Sequence, residues 1–277
     1  MKFGYLGPEG TFSEEALRAY IKNEQNYDLM EFSTIPDVIE AINNNICDEV
    51  IIPIENSIEG SVNIATDMLI NNNNRIMIKG EIVIKIRHCL ISSSKIDFKD
   101  VYCILSHQQA ISQCREYIFK NFPKAKVKTT ESTSQAIINV KSNRGMVAIG
   151  PERAAILYGM TILERDIQDN IENYTRFLII SHEDSALTGK DKTSIAFSVS
   201  NRPGSLYEAL GVLAQKKVNM TKIESRPSRK KLGEYVFWID IEGHKEEPVI
   251  KSAIEELKSR TEFLKVLGSY PIFFVEW

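Results

Sequence analysis

The sequence predicts an α/β protein in two units: a two-lobed, hinged unit over 1–182 and a smaller βαββαβ unit over 193–277. Three observations predict it. Short β-branched runs alternate with helix-like stretches in two successive blocks, as strands and covering helices do. The apolar run Phe177-Leu178-Ile179-Ile180 comes after the second block, so the chain returns to the first lobe there. A polar stretch then breaks the pattern, with the linker set at 183–192, before a new strand–helix–strand order begins.

Taken in order, Phe3-Gly4-Tyr5-Leu6 is a strand and Gly7-Pro8-Glu9-Gly10 a turn. Thr11-Phe12-Ser13-Glu14 fits a capping box that opens an amphipathic helix to about Tyr20. Thr34-Ile35-Pro36-Asp37 starts a second helix, with Pro36 just inside it. Val50-Ile51-Ile52-Pro53 is a buried strand that ends in Ile54-Glu55-Asn56-Ser57. The alternating run 80–91 is expected to cross between lobes, so lobe 1 takes about 1–79 and 164–182 and lobe 2 about 80–163. In lobe 2, strands are expected at 101–105, 126–129 and 146–149. Helices follow them after Ser106-His107, Ser132-Thr133-Ser134 and Gly150-Pro151-Glu152. The smaller unit reads as strand 194–200, turn Asn201-Arg202-Pro203-Gly204, helix 205–217, strand 219–225, strand 234–241, helix 247–260 and strand 263–267. The basic run Arg226, Arg229, Lys230 and Lys231 reads as a solvated loop.

Composition excludes several functions. The 34 basic and 37 acidic residues give a net charge of −3, so nothing favours a nucleic acid. No run approaches the roughly 18–20 apolar residues of a membrane span, and Met1-Lys2 leads directly into a strand, so a cytoplasmic protein is expected. Cys47, Cys89, Cys103 and Cys114 have no paired spacing and read as core thiols. His88, His107, His182 and His244 are scattered, so no metal is expected. No G-x-G-x-x-G or Walker pattern calls for a nucleotide cofactor.

Hydroxyls and amides gather where predicted strands end: residues 7–11, Glu55-Asn56-Ser57, Ser106-His107, Ser132-Thr133-Ser134 and Gly150. In open α/β sheets that edge holds the ligand, and helix N-termini there suit an anion. Each hydroxyl alone reads as an N-cap; together with Arg176, they define a cleft for a small acidic ligand. Arg176 stands at the entry to the returning strand, where its guanidinium offers a fork for a carboxylate, and Thr175 beside it offers a hydroxyl.

These residues resemble the prephenate dehydratase family over essentially the whole chain. Asn173-Tyr174-Thr175-Arg176-Phe177 is similar to its T-R-F signature, residues 4–13 to its opening, and Pro53-Ile54-Glu55-Asn56-Ser57 to its middle block. Asn201-Arg202-Pro203-Gly204-Ser205-Leu206 and Glu224-Ser225-Arg226-Pro227 resemble the two ligand motifs of its C-terminal ACT domain. The resemblance implies a cleft like that of periplasmic binding proteins and a cofactor-free conversion of prephenate to phenylpyruvate, carbon dioxide and water. It implies that Thr175 assists the leaving hydroxyl, Arg176 holds a carboxylate and Glu55 is the candidate acid. Thr11, Asn56, Ser57, Ser106, Gln113, Ser132, Thr133, Asn173 and Phe177 would line the cleft. L-Phenylalanine would act as effector at Asn201, Pro203, Gly204, Ser205, Leu206, Glu224, Ser225, Arg226 and Pro227, in a homodimer or homotetramer. Gln108 stands where the family usually has proline, and Ser205 and Tyr207 depart from the usual Gly-Ala-Leu-Val. A fused chorismate mutase segment is not expected. Rival readings are the same reaction on L-arogenate and a non-catalytic amino-acid sensor.

Overall fold

The structure, a computed structural model, describes residues 1–22, 24–72, 76–229 and 233–275. Lobe 1 is built from β1 (Lys2–Leu6), α1 (Phe12–Tyr20), β2 (Asp28–Phe32), α2 (Ile35–Asn43), β3 (Glu49–Asn56), β4 (Gly60–Ser61), α3 (Asn63–Asn71) and β5 (Met77–Lys85). Lobe 2 holds β6 (Cys89–Ser92), β7 (Cys103–His107), α4 (Gln108–Gln113), α5 (Arg115–Asn121), β8 (Lys126–Thr130), α6 (Thr133–Val140), β9 (Met146–Gly150), α7 (Glu152–Leu157) and β10 (Thr161–Glu164). The chain re-enters lobe 1 through β11 (Tyr174–Ser181). The last unit is β12 (Asp191–Ser198), α8 (Ser205–Gln215), β13 (Met220–Pro227), β14 (Tyr235–Glu242), α9 (Pro248–Ser259) and β15 (Phe263–Val275). Among the described residues, no helix is long and apolar enough to cross a membrane.

Strand order explains the sequence pattern. Lobe 2 has its own sheet, β10-β6-β9-β7-β8, with parallel β7–β8 and β7–β9 pairs. In lobe 1, β3 and β11 are central, pair antiparallel and are covered on both faces, hence the near-continuous Val50–Ile54 and Phe177–Ile180 runs. Strand β5 pairs with β11 along its whole length, so it belongs to lobe 1. The crossing therefore falls at Ile86-Arg87-His88, and the expected lobe boundary near 80 is too early. The sequence reading also passed over β2 and α3. The first is a short strand in which Asp28 and Glu31 interrupt the apolar run, and α3 has Val62 at its N-cap with no capping side chain to announce it.

The larger difference is at the C-terminus. The final strand was expected to stop near Leu267, but β15 continues to Val275. Its first half pairs with β12 and its second half runs parallel to β5. The two units therefore share one ten-stranded sheet, β13-β14-β12-β15-β5-β11-β3-β1-β2, with β4 on β3. One apolar core likewise joins them, packing Ile52, Ile54 and Leu178 with Ala196, Trp238 and Tyr270. Gly268 lies in the β12-paired half of β15, where that strand passes close to β5. A Cβ there would lie 2.3 Å from the Ile78 carbonyl oxygen, a backbone atom that cannot rotate away. Gly268→Ala should therefore destabilise the protein by roughly 1–3 kcal/mol, read as a lower midpoint in urea denaturation.

A bulge fixes which side chains face which way. Between Arg176 and Phe177 the β11–β3 register slips, so Arg176 pairs with Glu55 while Phe177 pairs with Pro53. Ile54 is the extra residue. The slip brings Pro53 and Asn56 onto the same face as Thr175 and Phe177. Glu55 and Arg176 necessarily point to the other face, because neighbours in a strand alternate.

Candidate active site

The cleft between the lobes holds a cavity of about 270 Å³ lined by Thr11, Asn56, His88, Gln113, Thr133 and Thr175, among others. Each lobe supplies one helix N-terminus of eight or more residues. From lobe 1, Thr11 caps α1 by accepting the Glu14 N–H at 3.5 Å and donates its own hydroxyl to the Leu6 carbonyl at 3.0 Å. The Glu14 carboxylate does not close the expected box on Thr11. It accepts the Gly10 N–H at 2.5 Å and pairs with Arg153 of lobe 2 at 2.8 Å, which ties the lobes together. Opposing guanidinium charge and these hydrogen bonds outweigh burial and hold Glu14 below the ordinary carboxylate range. From lobe 2, Ser132 caps α6 by accepting the Gln135 N–H at 3.0 Å. Among the described residues, the remaining N–H groups of both first turns have no intrahelical partner and can serve a ligand.

An amide chain sets the direction of every hydrogen bond on the cleft floor. Asn56 Oδ1 accepts the backbone N–H groups of Ile58 and Glu59, each at 3.0 Å, so Asn56 Nδ2 must be the donor toward the cleft. It lies 2.9 Å from Thr175 Oγ1 and 2.8 Å from Asn173 Oδ1. Asn173 Nδ2 in turn donates to Gln113 Oε1 at 2.8 Å. That oxygen also lies 2.9 Å from His88 Nε2, which must therefore carry its proton. Two consequences follow. Thr175 accepts from Asn56, and its own O–H proton has no protein acceptor among the described residues, so it is available to the cleft. His88 is held as the neutral tautomer with Nδ1 bare, and burial pushes its pKa down to about 4.

Above pH 6.5, His88 is neutral folded or unfolded and costs nothing. As pH falls from 6.5 toward 4, the unfolded chain takes up a proton that the folded chain refuses, so stability is lost over that window. The full step is on the order of 3 kcal/mol. His88→Gln should flatten the fall in the urea midpoint between pH 6.5 and 4 relative to wild type.

The structure divides the expected site residues into two sets. Thr11, Asn56, Gln113, Ser132, Thr133, Thr175 and Phe177 line the cavity, and buried Asn173 lies behind it. Arg176 does not reach the cleft. It is 9% exposed on the opposite face of the sheet, where Nη1 meets Asp240 at 2.7 Å and Nε donates to Glu81 at 2.7 Å. Its Nη2 donates to Tyr270 Oη at 3.1 Å. Glu55 is on that rear face too, pairing with Lys222 at 2.9 Å, so it is not placed to act as an acid in the cleft. Ser57 receives the Tyr174 N–H at 3.0 Å and pins the loop before β11. Ser106 is buried and donates to the Ile149 carbonyl at 2.6 Å, bracing β7 against β9. Sequence reasoning named His88 and His107 but gave neither a role in the cleft. The first falls at the lobe crossing, and the second ends β7 and caps α4 through Nδ1, at 3.3 Å from the Gln109 N–H.

In the smaller unit, Gly204 caps α8 at φ +85°, a left-handed position that favours glycine. Ser205 donates to the Arg202 carbonyl at 3.0 Å. On β13, Ser225 and Pro227 are exposed, whereas Glu224 and Arg226 turn toward lobe 1. Ser61 donates to Glu224 at 2.6 Å, and Arg226 pairs with Asp67 at 2.9 Å. Arg226 is thus not part of a solvated loop; Arg229 also pairs with Asp67, and Lys230 and Lys231 lie outside the described residues.

Fold and site define a two-lobed, cleft-bearing α/β unit joined to a regulatory ACT domain. Residues 3–185 match the prephenate dehydratase family model and residues 193–259 the ACT domain model. The chain belongs to the prephenate dehydratase family. It is 44% identical over 271 residues to the bifunctional chorismate mutase/prephenate dehydratase of Aquifex aeolicus, covering 98% of this chain and 74% of that one. It is 38% identical over 280 residues to the prephenate dehydratase of Lactococcus lactis subsp. cremoris, covering 99% and 98%. The crystal structure of a prephenate dehydratase from Arthrobacter aurescens in complex with L-Phe superposes with a TM-score of 0.88 at 29% identity, covering 98% of this chain and 90% of that one.

Proposed function

We propose that this chain is a lyase that converts prephenate to phenylpyruvate, carbon dioxide and water in the interlobe cleft. The ring carboxylate leaves as carbon dioxide and its bonding electrons pass through the diene to expel the ring hydroxyl, which departs as water after gaining one proton. The product ring is aromatic, so the protein need only orient the dianion and assist the departing oxygen. The observation that carries this reading is the oriented Thr175 hydroxyl: Asn56 fills one of its acceptor positions and leaves its proton directed at the ligand. A threonine hydroxyl is too weak an acid to surrender that proton outright. It donates a hydrogen bond that strengthens as charge builds on the leaving oxygen.

No lysine or arginine is among the described residues that line the cavity. The two carboxylates of prephenate therefore rest on the N-terminal turns of α1 and α6, whose free N–H groups and partial positive charge suit anions. Thr133, whose hydroxyl makes no bond to the described residues, and the Gln113 amide nitrogen complete the set of donors. L-Phenylalanine is assigned to the ACT domain, at the start of α8 and the outward face of β13. Exposed Tyr207 and Ile223 beside these motifs support pairing with a second copy. Cytoplasmic residence accords with this chemistry.

The experiment is phenylpyruvate formation from prephenate, followed by ultraviolet absorbance, with and without L-phenylalanine. Turnover that phenylalanine suppresses is the expected result. Turnover on L-arogenate alone would change the substrate, and none on either would remove the enzyme reading.

A further inference from the structure

We infer that the ACT domain sets the positions of Thr175 and Asn56 from behind the sheet, through the ion pairs Asp240–Arg176 and Lys222–Glu55. The inference rests on the dehydratase reading of the cleft and deepens it, because it makes Arg176 and Glu55 positioning residues. On each of the two central strands, the cleft residue and its rear neighbour are consecutive: Thr175 with Arg176 on β11, Asn56 with Glu55 on β3. Each rear neighbour is held by the ACT domain. Arg176 meets Asp240 of β14 at 2.7 Å, and Glu55 meets Lys222 of β13 at 2.9 Å. The two clamps also touch one another, since Arg176 Nη1 lies 3.4 Å from Glu55 Oε2.

The Asp240–Arg176 pair is not a loose surface pair. Asp240 is fully buried, accepts from Ser194 at 2.5 Å and from Trp238 at 2.8 Å, and so is itself fixed within the ACT domain. Glu81 on β5 takes Arg176 at 2.7 Å and Lys192 of β12 at 2.8 Å, adding a third bridge between the units. Any shift of β14 relative to β11 must either drag Arg176 or break a buried ion pair, and breaking one is costly.

Strand β13 shows how a ligand could use this seam. Its Lys222, Glu224 and Arg226 alternate toward lobe 1, where they meet Glu55, Ser61 and Asp67. Its Ile223 and Ser225 alternate outward. A ligand on the outward face therefore touches the strand whose other face holds Glu55, one residue from Asn56. An effector acts only through a difference in affinity for two arrangements, and two positions of β13 against β3 supply that difference.

The test uses the full chain with Lys222→Met, which keeps the aliphatic stem, and Asp240→Asn, which keeps the side-chain volume; folding is checked by circular dichroism. In both, kcat on prephenate should fall about fivefold or more while KM stays within about twofold. The phenylalanine concentration for half inhibition should shift by about threefold or more. Lys222→Arg, which keeps the charge, should restore both. Amide hydrogen exchange supplies a readout that needs neither substrate nor effector: residues 54–57 and 173–178 should exchange about fivefold faster in the variants, with β7 unchanged. If wild type fails to turn over prephenate, the dehydratase reading falls and exchange alone decides the seam. If Asp240→Asn does not fold, Lys222→Met carries the test. Folded variants with kcat, half inhibition and exchange all within about twofold of wild type would overturn the inference.

Discussion

Replacing Thr175 with alanine is expected to lower kcat on prephenate by about 10²-fold or more with the fold intact, the scale seen when one oriented transition-state donor is removed. The argument is geometric. Asn56 Nδ2, itself fixed by the Ile58 and Glu59 amides, holds Thr175 Oγ1 as an acceptor at 2.9 Å. The threonine proton is thereby aimed at the ligand before it binds, so no reorganisation is needed as the leaving oxygen gains charge. KM should change little, because the carboxylates are proposed to rest on helix N-termini and not on Thr175. Thr175→Ser, which keeps the hydroxyl, should recover most of the rate. Steady-state kinetics of the three proteins is the check, and near-wild-type kcat in Thr175→Ala would remove this residue from the mechanism.

The largest expected effect on stability is at Arg176. Arg176→Met should cost about 3–5 kcal/mol, because removing one member of a buried ion pair leaves the other charge without compensation. Glu81 would keep Lys192 at 2.8 Å, but Asp240 would keep only the neutral donors Ser194 and Trp238. At present the Arg176 charge and those hydrogen bonds outweigh burial and hold the Asp240 carboxyl below its ordinary range. Its stabilising contribution is therefore present above the ordinary aspartate pKa and is lost as pH falls through the depressed value. The double variant Arg176→Met/Asp240→Leu removes both charges and should recover part of the loss. Urea denaturation of wild type, the single variant and the double variant measures both effects. A single variant as stable as wild type would show that the pair contributes nothing net.

Much of this architecture is legible in the sequence, because its strands and helices carry local signals. The β-branched runs at Val50 and Phe177 mark central strands, and Thr11, Thr34 and Ser132 cap the helices that their position predicts. What the sequence hides is mostly non-local. Nothing within 263–275 announces that its second half will pair with β5, far back in the chain. Likewise, a cluster of Glu55, Asn56, Thr175 and Arg176 reads as one site, because all four stand at strand ends that meet. Strand alternation separates them into a cleft pair and a rear pair, and only the bulge at Ile54 decides which pair goes where. Arginine is the residue expected to hold a carboxylate, so the sequence points Arg176 to the cleft; its carboxylate partners are instead Asp240 and Glu81. The neutral donors and helix termini that remain are common in any α/β sheet, which is why the sequence does not assign His88 or His107 a place in the cleft.

The most direct measurement is a crystal structure of the full chain with phenylpyruvate, the carboxylate-bearing product, in the cleft. The account predicts the carboxylate against the first-turn N–H groups of α1 or α6, with Arg176 still paired to Asp240 and Glu81. A carboxylate bound to a reoriented Arg176 would contradict it.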